Sequence, residues 1–67
     1  MFQKNEFKAA LVRKNITIAE VAQALNLNPS SVSRKINGQS DFLRCEIEVI
    51  QKMLELTPED VLKIFFA

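Results

Sequence analysis

The stretch TIAEVAQALNLNPSSVSRKING, Thr17 to Gly38, decides how the rest of this 67-residue chain is read. Thr17 is a good helix N-cap, and Glu20 completes a Thr-x-x-Glu capping box, so a helix is predicted to start there. Ile18, Val21, Ala22 and Leu25 recur at helical spacing and form its inner face. Asn26 comes where the chain must turn, and asparagine tolerates the left-handed conformation better than most residues. Asn28 can cap a further helix, with Pro29 in its first turn, where a missing N–H costs nothing. In that helix Val32 and Ile36 lie one turn apart and point inward, and Asn37-Gly38 ends it. Ala22 falls where the two helices cross, and a small residue there lets the axes approach at a steep angle. Leu27, the lone apolar residue of the turn, plugs the corner between them.

Working outward, three more helices are expected. The first runs from about Gln3 to Lys14, with Phe7, Ala10 and Leu11 and the stem of Lys14 on one face. After Gln39-Ser40-Asp41 a fourth runs from about Leu43 to Leu54. Leu43, Ile47, Ile50 and Leu54 form one stripe, and Cys45, Val49, Met53 and Leu56 the next. So broad an apolar arc predicts burial against several neighbours, with Cys45 a small core residue. Thr57 caps the last helix, Pro58 sits at its first position, and Glu59 and Asp60 suit its positive end. The expectation is a compact all-α domain of five helices spanning residues 1–67, with a helix-turn-helix over 17–38 formed by the second and third.

Composition excludes much else. The hydrophobic fraction is 48%, with a single Gly and two Pro, which is too apolar for a disordered chain. One cysteine and no histidine leave no internal disulfide and no protein-only zinc or iron site, so no metal and no cofactor are expected. There is no signal-peptide pattern and no apolar run long enough for a membrane, which points to the cytoplasm of a bacterial or phage-infected cell. Glu46 and Glu48 point in different directions on a helix and make a poor catalytic pair, so no enzyme is expected. Net charge is only +1, but residues 1–40 carry six cations and two anions, whereas residues 41–67 carry three cations and six anions. One end of the molecule could therefore face phosphates while the other turns away.

A tight turn with small-residue contact is what a helix-turn-helix requires, and its second helix is the groove reader. With Val32 and Ile36 inward, that helix shows Pro29, Ser30, Ser31, Ser33, Arg34 and Lys35 outward. Short hydroxyls allow close approach to base edges. Arg34 can reach guanine O6 and N7 bidentately, which is worth about 1–3 kcal/mol of discrimination. Pro29 offers an apolar edge to a thymine methyl. Thr17 and Asn28 mark the helix N-termini and so two natural phosphate seats. Pro29, Ser30, Ser31 and Arg34 are the candidate base contacts, Ser30 being the favoured serine.

The segment resembles the Cro and repressor class of phage helix-turn-helix regulators, the lambda-repressor-like fold. The likeness extends over nearly the whole chain and is most specific in SVSRKING. The SRKINGQSDF run and the C-terminal aromatic pair also look like a subfamily of small phage and prophage Cro-like proteins. By position the resemblance implies base contact by Pro29, Ser30 and Arg34. It implies backbone proximity for Ile18, Lys35, Asn37 and the loop from Gly38 to Arg44. Thr17, Ile18, Asn28, Ser33, Lys35, Asn37, Gln39 and Arg44 are thus the expected backbone contacts. Three positions depart from the family: Asn26 stands where glycine is usual, Ile18 where many members carry glutamine, and Pro29 where the best-known members use glutamine to read adenine. Base preference should therefore lean on Ser30 and Arg34.

The resemblance implies a Cro-like repressor that acts by occupying a double-stranded operator, with no effector ligand. Phe65 and Phe66 exceed what a short last helix can bury and are the expected contact of a homodimer, formed in solution or only on DNA. Two other readings compete. An antitoxin would need a toxin-wrapping segment beyond Phe66, and a protein-interaction module would keep the fold without binding DNA.

Overall fold

The computed structural model describes residues 1–67 and contains five helices and no strand: α1 Lys4–Lys14, α2 Ile18–Leu25, α3 Pro29–Ile36, α4 Arg44–Met53 and α5 Pro58–Phe65. No helix is long and apolar enough to cross a membrane. Each helix sends a residue to a common centre. Phe7, Val21, Val32 and Ile50 are fully buried, and Ile64 of α5 is 2% exposed. Burying such a side chain contributes about 1.5–3 kcal/mol, so these contacts hold the short helices, which would not persist alone in water.

The helices stop for a shared local reason. In α1, α2, α3 and α4 the chain turns through one left-handed residue: Asn15 (φ 54°), Asn26 (φ 57°), Gly38 (φ 84°) and Glu55 (φ 53°). At each, the following N–H donates back to a helix carbonyl: Ile16 to Leu11, Leu27 to Ala22, Gln39 to Arg34 and Leu56 to Gln51, at 2.9–3.0 Å. These are Schellman closures, which satisfy carbonyls a helix end would otherwise orphan. Asparagine and glycine suit the position, but glutamate does not.

Helix starts are also built locally. Thr17 and Glu20 form the expected capping box, as do Thr57 and Asp60. The Thr57 N–H bonded to Asp60 Oδ2 holds the Asp60 carboxyl below the usual aspartate range.

Three expectations need correction. The α4 arc is narrower than the sequence pattern implies, since Leu43 is 58% exposed, Val49 is 38% exposed and Cys45 is exposed. Leu43 is the extended N-cap, so it falls out of helical phase, and the side turned inward runs instead through Glu46, Ile50 and Leu54. Cys45 lies beside that line and is no core residue. The charge separation is also slightly reduced by folding, from +4 against −3 to +3 against −2 once the ion-paired groups are set aside. The ion pairs Lys14–Glu55 (3.3 Å), Lys35–Glu46 (3.1 Å) and Lys63–Glu6 (3.5 Å) each join the basic segment to the acidic one.

Phe65 is the third correction. It is 7% exposed and packs with Phe2, Phe7 and Phe42, with ring centroids 5.3–6.4 Å apart across the cluster. It lies on the side of α5 that packs on α1, next to Ile64, and is covered by the protein's own core. Phe66, 61% exposed, remains outside.

The left-handed turns generate a paired expectation. Gly38→Ala should lower stability by about 1 kcal/mol from backbone conformation alone, because no atom lies within 4 Å of the added Cβ. Glu55→Gly should raise stability by several tenths of a kcal/mol, since the exposed pair with Lys14 contributes little. Thermal unfolding of both variants checks the opposite signs.

Candidate nucleic-acid interface

α2 and α3 form the tightest helix pair in the chain. Ala22 is buried at 2% exposure on α2, and its carbonyl accepts the Leu27 N–H at 2.9 Å across the turn. Leu27 is half-buried against the core and fills the corner, as its position in the turn requires. Val32 and Ile36 anchor α3 from beneath, at 0% and 4% exposure.

That anchoring fixes what α3 presents. Pro29, Ser30 and Arg34 are exposed, whereas Ser31 and Ser33 are half-buried. Arg34 takes part in none of the ion pairs, so its guanidinium is free for an outside acceptor. Asn28 occupies the N-cap position, but its side chain makes no capping bond. The expected side-chain cap is thus absent, and both Ser31 and Val32 donate to the Asn28 backbone carbonyl instead. The Asn28 amide is left exposed and available. Asn37, Gln39 and Arg44 are likewise exposed, with Arg44 beside Phe42, Ile47, Glu48 and Phe66.

Three expected backbone contacts sit differently. The Thr17 N–H donates to Glu20 Oε1 at 2.9 Å, and the Thr17 hydroxyl accepts from the Glu20 N–H at 3.2 Å. The Glu20 carboxylate therefore already fills part of the anion seat at the start of α2, leaving the first-turn N–H groups of Ile18 and Ala19. The Ile18 side chain packs on the core, so a contact from this residue has to come from its backbone.

Lys35 departs furthest. Its Nζ lies 3.1 Å from Glu46 Oε1, donates to the Asp41 carbonyl at 2.9 Å and sits 5.9 Å from the Phe42 ring centroid. The side chains of Lys35 and Glu46 are 12% and 10% exposed. Glu46 Oε1 also accepts the Leu43 N–H at 2.8 Å, which ties the pair to the start of α4. The expectation that Lys35 stands outward is corrected, because an ammonium with these partners is held against the protein. Sequence reading missed Glu46 in this role. The available signal was its place three residues after Leu43, where a glutamate can cap the helix start from within.

A family model described as a Cro/C1-type HTH DNA-binding domain matches residues 6–66, which takes in all of α2 to α5 and most of α1. No curated protein and no solved structure matches the chain.

Removing one member of the covered pair leaves the other charge without compensation. Lys35→Met should cost about 3 kcal/mol, the lower end for a buried pair. The double variant Lys35→Met/Glu46→Gln should cost clearly less than the single one, because no charge is stranded and the amide oxygen introduced on α4 can still accept the Leu43 N–H. Urea unfolding of both would expose any independence of the two residues as simple additivity.

Proposed function

The chain belongs to the Cro/C1-type HTH DNA-binding domain family, and from that premise we propose a transcriptional regulator of the phage Cro-like repressor kind that acts by occupying an operator. The observation that carries this reading is the outer edge of α3, where Pro29, Ser30 and Arg34 stand exposed and Arg34 has no internal charge partner. Seated in the major groove, this edge brings the Arg34 guanidinium to guanine O6 and N7. Ser30 supplies a short donor and acceptor, Pro29 a surface for a thymine methyl, and Ser31 a closer, half-covered hydroxyl. Asn28, Ser33, Asn37, Gln39 and Arg44 serve the phosphates, and α2 adds the N–H groups of its first turn at Ile18. Occupancy is the mechanism this reading supplies, since duplex held under α2 and α3 is closed to other proteins.

A homodimer fits this reading, with Phe66 in place of the expected aromatic pair. Phe66 and Leu62 lie one turn apart and are 61% and 60% exposed. Phe66 borders a cleft rimmed by Arg44 and Glu48. A two-fold axis through this patch would set Phe66 and Leu62 of one copy against those of the other, the self-complementarity an isologous contact demands. Two reading helices would then address half-sites about 34–36 Å apart.

Two outcomes follow. In sites selected from random DNA, Arg34→Ala should relax preference at one position of each half-site and cost about 1–3 kcal/mol there; equal loss on every base variant would remove Arg34 as a reader. Phe66→Ser should leave the melting temperature close to the parent's while weakening dimerisation in sedimentation runs with and without operator DNA. An unchanged association state would place the contact elsewhere.

A further inference from the structure

We propose that Lys35, the lysine of the reading helix, is a positioning residue and not a phosphate contact. It clamps the C-terminal end of α3 to the loop 39–43 and to the start of α4, and so sets the angle at which Arg34 meets the bases. The inference rests on the DNA-reading assignment of α3 made above.

The clamp is built from three places in the chain. Glu46 brings a carboxylate from α4, Asp41 a backbone carbonyl from the loop, and Phe42 a ring face. The ammonium donates one hydrogen bond, to the Asp41 carbonyl at 2.9 Å, and lies in ion-pair range of the Glu46 carboxylate at 3.1 Å. Phe42 is itself held in the aromatic cluster with Phe2, Phe7 and Phe65, so the clamp is referenced to the core and not to a mobile loop. Backbone bonds act on the same joint, because Gly38 donates to the Lys35 carbonyl at 3.2 Å and Gln39 to the Arg34 carbonyl at 2.9 Å. Swinging Lys35 out to a phosphate would strand the Glu46 carboxylate in a site 10% exposed and withdraw the cation from Phe42. Arg34, one residue earlier, faces no such loss. Two adjacent cations on α3 thus have separate tasks: Arg34 reads, and Lys35 holds the reader in place.

The deciding comparison uses an operator selected with the parent protein, alongside random duplex of equal length. Lys35→Met/Glu46→Gln leaves net charge unchanged and strands no ion, so it isolates the clamp; circular dichroism establishes that both proteins are folded at the binding temperature. The expected result is a non-specific affinity and salt slope equal to the parent's, with operator affinity reduced about tenfold, within the range of one base readout. A slope shallower by about 0.9, with equal weakening on operator and random DNA, would make Lys35 a phosphate contact and overturn the inference. An unchanged ratio of operator to random binding at an unchanged slope would reduce the clamp to a stabilising contact and overturn it as well. If the parent binds no duplex at low salt, the regulator reading fails and takes this inference with it. Either of the other adverse results, obtained with a parent that does bind, removes only the role given to Lys35.

Discussion

Val32 and Ile36 hold α3 by one side only, and the outer edge of the interface depends on that constraint. Both side chains point into a centre shared with Phe7, Val21 and Ile50, so the helix cannot roll without withdrawing apolar surface from the core. The opposite edge, from Pro29 through Ser30 to Arg34, is turned outward by the same anchoring. Ala22 enforces the constraint from the other helix. A larger side chain at this buried position would overpack the core that Ala22 shares with Val32.

Electrostatics act on top of this packing and mostly inside the molecule. Three carboxylates, Glu6, Glu46 and Glu55, take lysines as partners, and Glu20 fills the end of its own helix. The net charge of the chain is only +1, which gives weak general attraction to phosphate. Under the proposed reading, recognition leans on the geometry of α3 more than on a basic field. That places weight on the joint between α3 and α4, where the Schellman closure at Gly38 and the Lys35–Glu46 pair converge.

Much of the architecture was legible because its signals are short-range. The capping box at Thr17, Asn26 at the turn, Pro29 at a first helical position and Gly38 at a helix end each act within a few residues, and each marks an element boundary in the structure. Glu55 was illegible for the matching reason. Its left-handed turn is imposed by the return of Leu56 to the core and not by its own preference. The candidate interface divided along the same line. Exposure of Ser30 and Arg34 follows from helical phase once Val32 and Ile36 are inward. The partners of Lys35, and the choice of Phe65 over Phe66 for burial, depend on which loop and which helix arrive opposite them.

The amino-acid order alone determined five helices, the packing of α2 on α3 and the outward edge of α3, because caps, breakers and apolar phase are properties of neighbouring residues. Only the tertiary structure decided which charged groups remain free. Lys35 and Arg34 are adjacent and chemically alike, yet one meets a carboxylate carried by α4 and the other meets solvent. This ion pair depends on the folded chain bringing α4 and the 39–43 loop opposite the end of α3. Residues far apart in sequence carry no local signal of that meeting.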